Sequence, residues 1–201
     1  MNILEICLTI FIAYLIGSIP TGYLIVKAKT GDDIRKIGSG STGATNVKRV
    51  LGKKWFFIVL LLDAIKGLTP VVLAKLFTTT FVDIGLLPVL AAIMVIVGHS
   101  KSIFLGFSGG KSVASGVGTI IALSWQVGVI VAVIWALITY FSKYVSLGSI
   151  IALWCSCLFM YYLDNPIAYV AYCVIGAVYI TYLHRQNIVR LLKGEENKVR
   201  Q

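Results

Sequence analysis

Between two long apolar runs the chain carries Gly38 to Arg49, GSGSTGATNVKR, a stretch whose residue types suit one chemistry: holding an anion. Gly38, Gly40 and Gly43 open backbone conformations that side chains forbid, so successive N–H groups can converge on phosphate. Ser39, Ser41, Thr42, Thr45 and Asn46 add donors, and Lys48 and Arg49 add charge. A flexible linker would have a similar composition. The spacing also satisfies G-x-G-x-x-G, with Asp63 downstream. That fingerprint works only as the turn of a strand-turn-helix unit, and here the flanks are membrane-length apolar runs.

A second polar stretch, Gly98 to Ser115, reads GHSKSIFLGFSGGKSVAS. It misses the P-loop pattern, because three residues rather than four separate Gly106 from Gly110 and no strand precedes it. The physics is shared all the same. Gly109 and Gly110 are expected to expose backbone amides, Lys111 brings a point charge, and a helix starting just afterwards favours an anion at its N-terminus. Lys111 as a mere membrane-boundary lysine is the plainer alternative. His99 reads either as a satisfied histidine at a helix end or as a supporting residue of the phosphate site. A third polar stretch, His184-Arg185-Gln186-Asn187, follows the last apolar run, and the short turn Lys143-Tyr144-Val145-Ser146 is uninformative alone.

What could position these loops follows from composition. Of 201 residues, 58% are hydrophobic and 13% charged, which excludes an ordinary soluble domain and predicts an all-α integral membrane protein, one domain over residues 1–201. Seven spans are expected: Ile3 to Val26, Trp55 to Phe77, Ile84 to Val97, Val113 to Leu123, Val127 to Phe141, Val145 to Leu163, and Ile167 to Leu183. The third to fifth are short for a core of about 30 Å. No basic segment precedes the first run, so it reads as a retained span. Net charge is +10, and all but two of the 18 basic residues, Lys66 and Lys75, fall in loops of one face. The positive-inside rule makes that face cytoplasmic, with the N-terminus outside and the C-terminus cytoplasmic. Charge placed this way speaks for lipid headgroups or an anionic substrate rather than nucleic acid.

Three details refine the spans. Pro20 should break the first helix and free a carbonyl near Ile16. Asp63 and Lys66 share a helix face and should pair, since buried charge is costly in a membrane. Beyond Leu183, Ile188, Leu191 and Leu192 lie opposite Arg190 and Lys193, which predicts an interfacial helix ending at Gly194-Glu195-Glu196. The four cysteines lie in apolar runs and read as packing residues.

All the polar clusters lie on the cytoplasmic face. A transporter, the alternative, would place polar groups near the midplane and show internal repeats; only Asp63 and Lys66 qualify. An enzyme joining a soluble phosphate to a lipid would be built as this chain is. Neither histidine heads an H-x-x-x-x-D dyad, since Phe104 and Val189 stand at the fifth positions. No cytoplasmic cysteine offers a thioester and no carboxylate cluster offers a metal site, so neither metal nor cofactor is expected.

Five ordered motifs carry a resemblance: GSIPTGY (Gly17 to Tyr23), GSGSTGATN (Gly38 to Asn46), DAIKG (Asp63 to Gly67), GHSKSIFLGFSGGKSVAS and HRQNIVRLLKGEE (His184 to Glu196). They resemble those of the bacterial acyl-phosphate:glycerol-3-phosphate acyltransferases, the PlsY family, nearly end to end. The resemblance implies a seven-helix enzyme of the bacterial plasma membrane with a cytoplasmic site. Its partners would be glycerol 3-phosphate, a long-chain acyl phosphate and membrane lipid, and its product 1-acylglycerol 3-phosphate, the first step towards phosphatidic acid. It further implies catalytic roles for Ser39, Arg49, Lys111, His184 and Asn187, and a binding role for Ser146. Ser41 stands where the family usually has asparagine, Ser102 where proline is frequent and Ser115 where threonine is common.

An acyl phosphate is an activated mixed anhydride, so the task is to hold two phosphate-bearing anions and place a hydroxyl on the carbonyl. Arg49, Lys111 and the loop amides would neutralise the charge. His184 is either general base or a phosphate ligand while the substrate phosphate takes the proton. The second is favoured, because no carboxylate in the sequence is placed to orient the histidine.

Overall fold

The structure is a computed structural model that describes residues 3–77 and 85–199, and among these the regular structure is helical. The chain divides into two units, Met1–Thr119 and Ile120–Gln201.

The first unit opens with α1 (Ile3–Ser18) and α2 (Thr21–Thr30), two halves of one apolar run broken at Pro20. The break differs in detail from expectation. The Ile16 carbonyl is taken by the Ile19 N–H at 3.2 Å in a tightened turn, and the Ile19 carbonyl accepts the Thr21 N–H at 3.1 Å. Side chains from elsewhere also reach the break: Ser102 Oγ donates to Ser18 O at 2.6 Å, and Lys66 Nζ is a second donor to Ile19 O at 2.6 Å. A membrane tolerates a proline break when neighbouring groups satisfy the freed backbone in this way.

Next come α3 (Ala44–Leu51), α4 (Lys53–Phe77) and α5 (Leu86–Ser100). Small α3 turns one face inward, where Ala44 and Val47 pack with Val26, Ile34 and Val59 and so seat the basic loop on the spans. Helices α1 and α5 approach so closely that a methyl group on Gly17 would strike the Val95 backbone, and one on Gly98 the backbone of Tyr14 and Ser18. Gly67 and Gly118 do the same between α4 and α6 (Val113–Leu123), against Ser115 and Ala64. Backbone contact through small residues is how helices associate where lipid removes the hydrophobic drive.

The second unit holds α7 (Trp125–Ser142), α8 (Val145–Tyr162), α9 (Ile167–Leu183) and α10 (Arg185–Leu192). Lys143, at φ 65°, turns α7 into α8. Trp135 and Trp154 donate their indole N–H groups to Ser149 and Thr181, pinning α8 to both neighbours. At His184 the chain bends by 63° into α10, which carries Val189 and Leu192 exposed and Asn187 buried. That is the expected amphipathic tail helix.

Apart from the break at Ile19–Pro20 and single residues at the ends, the described part of each expected span lies on helix; Ile84, where the third was expected to start, is outside the described residues. Four helical stretches among the described residues are long and apolar enough to cross a bilayer unaided: Ile3–Thr30, Lys53–Leu76, Trp125–Ser142 and Val145–Tyr162. Ile167–Leu183 joins them when taken with its bent continuation. With 15 and 11 residues, α5 and α6 are only about 22 and 16 Å long.

Candidate functional site

The first loop is shaped from within. Asp33 caps a short turn at Ile34–Lys36 by accepting from the Arg35 N–H at 3.0 Å. Buried Asn46 reaches back from α3 and donates to the carbonyls of Ile37 and Ser41, both at 2.9 Å, and of Ile34 at 3.3 Å. Its oxygen accepts the Ser39 N–H at 3.1 Å. With both amide hydrogens spent on backbone carbonyls, Asn46 organises the loop rather than donating to a phosphate, a correction to its expected place as a binding residue. Gly38 and Gly40 hold φ of 60° and 68°, conformations that a side chain would disfavour, as expected. Gly43 does not: at φ −76° it is an ordinary extended residue preceding α3. What it supplies is position, with its N–H on Ser41 Oγ at 3.3 Å and the N-terminal amides of α3 beyond it. Ser39 and Arg49 lie exposed on the rim, and the Arg49 stem passes Gly38. Thr45 is half-buried beside them.

The second loop is clamped to the end of α5. Gly110 donates its N–H to His99 O at 3.0 Å and is buried, so its amide is not exposed for an anion as expected. Ser112, at φ 59°, donates to Ile96 O at 2.8 Å. A methyl group on Gly109 would strike the His99 and Ser100 carbonyls, and one on Gly110 the imidazole itself. The glycine pair is therefore required for close approach, and Lys111 follows it, half-buried. His99 is buried under this turn, at the end of α5. Its Nδ1 lies 3.2 Å from Ser115 Oγ and 3.7 Å from Asp63 Oδ1. Asp63 pairs with Lys66 at 2.9 Å and accepts from Thr21 Oγ1. The expected ion pair is present and braces the break at Pro20.

Arg35 ties the two loops together, a role the sequence reading did not assign. Its guanidinium folds onto Asp33, Nη2 to Oδ2 at 2.6 Å, and lies 5.4 Å from the Tyr23 ring centre. Its Nη1 reaches Leu105 O at 3.3 Å and Ser108 Oγ at 3.4 Å. The hydrogen bond from Arg35 holds the Asp33 carboxyl at about 2, well below the ordinary range. The loops of Ser39, Arg49 and Lys111 thus belong to one unit and are joined by one side chain.

In the second unit a further residue emerges. Glu196 is buried and accepts from Ser146 Oγ at 2.9 Å, Asn187 Nδ2 at 2.6 Å and Arg190 Nε at 2.7 Å. Val199 N–H adds a bond to Lys143 O at 2.8 Å, so the tail docks on the α7–α8 turn rather than merely ending α10. Burial pushes the Glu196 carboxyl up, but the three hydrogen bonds outweigh it and leave it lowered. The signal in the sequence was a carboxylate within HRQNIVRLLKGEE. Ser146 and Asn187, expected at one site, do meet, through this carboxylate. His184 is buried and its Nδ1 lies 2.8 Å from Ile180 O. A carbonyl only accepts, so Nδ1 carries the proton and the lone pair of a neutral ring sits on Nε2. The orienting group that no carboxylate supplied is a backbone carbonyl. Among the described residues, no group of three or more His, Cys, Asp or Glu is placed to hold a metal ion.

Comparison with known proteins agrees with the sequence resemblance. A family model described as glycerol-3-phosphate acyltransferase matches residues 7–194. The glycerol-3-phosphate acyltransferase of Nostoc sp. (strain PCC 7120) is 46% identical over 205 residues, covering 96% of this chain and 91% of that one. That of Prochlorococcus marinus (strain MIT 9312) is 46% identical over 203 residues, covering 100% and 99%. The crystal structure of PlsY (YgiH), an integral membrane glycerol 3-phosphate acyltransferase, superposes in its glycerol 3-phosphate form with a TM-score of 0.91 at 36% identity, covering 98% of this chain and 96% of that one. Its lysophosphatidic acid form gives 0.89 at 35% identity, with the same coverage.

Proposed function

The chain belongs to the glycerol-3-phosphate acyltransferase family, and on that footing we propose how it works: acyl transfer from a long-chain acyl phosphate to the 1-hydroxyl of glycerol 3-phosphate. It is an integral membrane acyltransferase. Acceptor and product correspond to the glycerol 3-phosphate and lysophosphatidic acid forms of the solved relative. The hydroxyl oxygen attacks the acyl carbon, the carbon–oxygen bond to phosphate breaks, and 1-acylglycerol 3-phosphate and inorganic phosphate leave.

The observation that carries this reading is the pair of loops joined by Arg35 in the first unit. Ser39, Arg49, Lys111 and the loop hydroxyls of Ser41 and Thr45 bind phosphate, with Gly38, Gly40, Gly43, Gly109 and Gly110 setting the backbone that presents them. Arg49 suits a bidentate grip and Lys111 a point charge. A mixed anhydride needs no metal or covalent intermediate, only orientation and charge neutralisation. In the second unit, His184 and Asn187 serve the reaction and Ser146 holds the tail that steadies Asn187.

The hydroxyl proton passes to the substrate phosphate. A second reading, His184 as base through Nε2, is favoured by the Nδ1–Ile180 contact. The spans are α1–α2 and α4 to α9 with the N-terminus outside, and the loops face the cytoplasm of a bacterium from its plasma membrane. Supporting this are the basic loops and the positive-inside rule. Transport draws no support, since Asp63 and Lys66 are spent on each other, on Thr21 and on Ile19 O.

The test is to give purified protein labelled glycerol 3-phosphate with palmitoyl phosphate or with palmitoyl-CoA. Lysophosphatidate and phosphate should appear in equal amounts from the acyl phosphate alone. Product from the CoA ester alone would overturn the donor assignment, and vesicle uptake without acylation would favour a transporter.

A further inference from the structure

We propose that His99 is a positioning residue that sets where Lys111 stands, acting through Gly110 from a seat fixed by Asp63 and Ser115. The His99 side chain is 5% exposed and lies in the polar interior of the first unit. One edge is held, Nδ1 lying 3.2 Å from Ser115 Oγ and 3.7 Å from Asp63 Oδ1. Asp63 is itself held by Lys66 at 2.9 Å and by Thr21. The opposite edge, Nε2, lies directly beneath Gly110, where a β-carbon would collide with it.

His99 therefore meets the second loop twice, by its carbonyl, which accepts the Gly110 N–H at 3.0 Å, and by its ring. Ser112 Oγ on Ile96 O fixes the other side of Lys111 at 2.8 Å. Lys111 is thus held between two residues anchored on the last turns of α5. The chain of contacts Thr21–Asp63–His99–Gly110 also links the Pro20 break to the phosphate loop. Removing the ring leaves the lysine charge intact and unlocks its position, a loss that falls on phosphate binding.

The inference rests on Lys111 as phosphate ligand, and the test separates the two. Michaelis constants for glycerol 3-phosphate and for palmitoyl phosphate, kcat and thermal midpoints are measured for wild type, Lys111→Ala, His99→Ala, Gly110→Ala and the double variant His99→Ala/Gly110→Ala. His99→Ala should raise the glycerol 3-phosphate KM about tenfold while kcat falls less than threefold, roughly what misplacing one charged contact costs. Gly110→Ala should do at least as much alone, yet add less than twofold in the His99→Ala background, because the methyl group then occupies vacated space. His99→Asn, which retains a polar group towards Ser115, replaces His99→Ala in the cycle if the alanine variant does not fold. Additive effects, or an unchanged KM in both His99 variants, would overturn the inference. An unchanged KM in Lys111→Ala would instead overturn the phosphate-site reading beneath it.

Discussion

Lys66→Met removes one partner of a buried ion pair and one of the donors at the Pro20 break. Lys66 is 7% and Asp63 1% exposed at the side chain, so solvent does little to screen the charge left behind. Breaking such a pair costs about 3–5 kcal/mol, because an uncompensated carboxylate stays buried. For a chain of this size that is a fall in thermal midpoint of roughly 6–20 °C. The Ile19 carbonyl also loses its 2.6 Å bond, so activity should fall with stability as the first span loosens. The assay is thermal unfolding in detergent together with acylation at a fixed low temperature. Adding Asp63→Asn removes the stranded charge while an amide oxygen still accepts from Thr21, and should recover at least half of the lost midpoint. A single variant within 2 °C of wild type, or a double variant no better than the single, would refute the reasoning.

Arg35→Ala cuts the tie between the loops and should lower kcat/KM for glycerol 3-phosphate about tenfold, the scale of one charge-assisted bond, with the midpoint little changed. Glu196→Gln should lower the midpoint by roughly 3–12 °C, the equivalent of about 1.5–3 kcal/mol, since an amide cannot replace a carboxylate before three donors. Because the folded Glu196 carboxyl is lowered, its contribution is complete above the ordinary value of 4.5 and is lost as pH falls through the folded value. Thermal scans from pH 7 to pH 3 should therefore show a wild-type decline that Glu196→Gln partly lacks. His184→Ala should retain a bell-shaped pH profile at reduced turnover, the substrate phosphate still taking the proton; loss of the limb near neutral pH would make His184 the base.

The sequence made the elements legible because apolar run lengths and glycine or proline punctuation are local signals. Val113–Leu123 and Ile167–Leu183 begin and end where the runs do. It made the polar loops legible for the same reason. What escaped it lies in contacts between distant residues. Asn46 and Thr45 are adjacent polar residues in one motif, and only the fold turns Asn46 towards backbone carbonyls. Arg35 stands 70 and 73 residues from the atoms it reaches, and Glu196 stands 50 from Ser146. Departures from the family pattern also gain meaning in three dimensions. Ser102 donates to the Ser18 carbonyl, which proline could not do. Ser115 keeps the hydroxyl that faces His99, and Ser41 the oxygen that accepts the Gly43 N–H.

Arg49 on the first loop and Lys111 on the second are proposed to hold one phosphate. Calorimetric titration of glycerol 3-phosphate into wild type, Arg49→Ala and Lys111→Ala, without acyl donor and with folding checked by thermal midpoint, tests this directly. Each substitution should weaken binding roughly 10- to 150-fold, the equivalent of about 1.5–3 kcal/mol for a hydrogen bond to a charged group. Binding of either folded variant within twofold of wild type would contradict it.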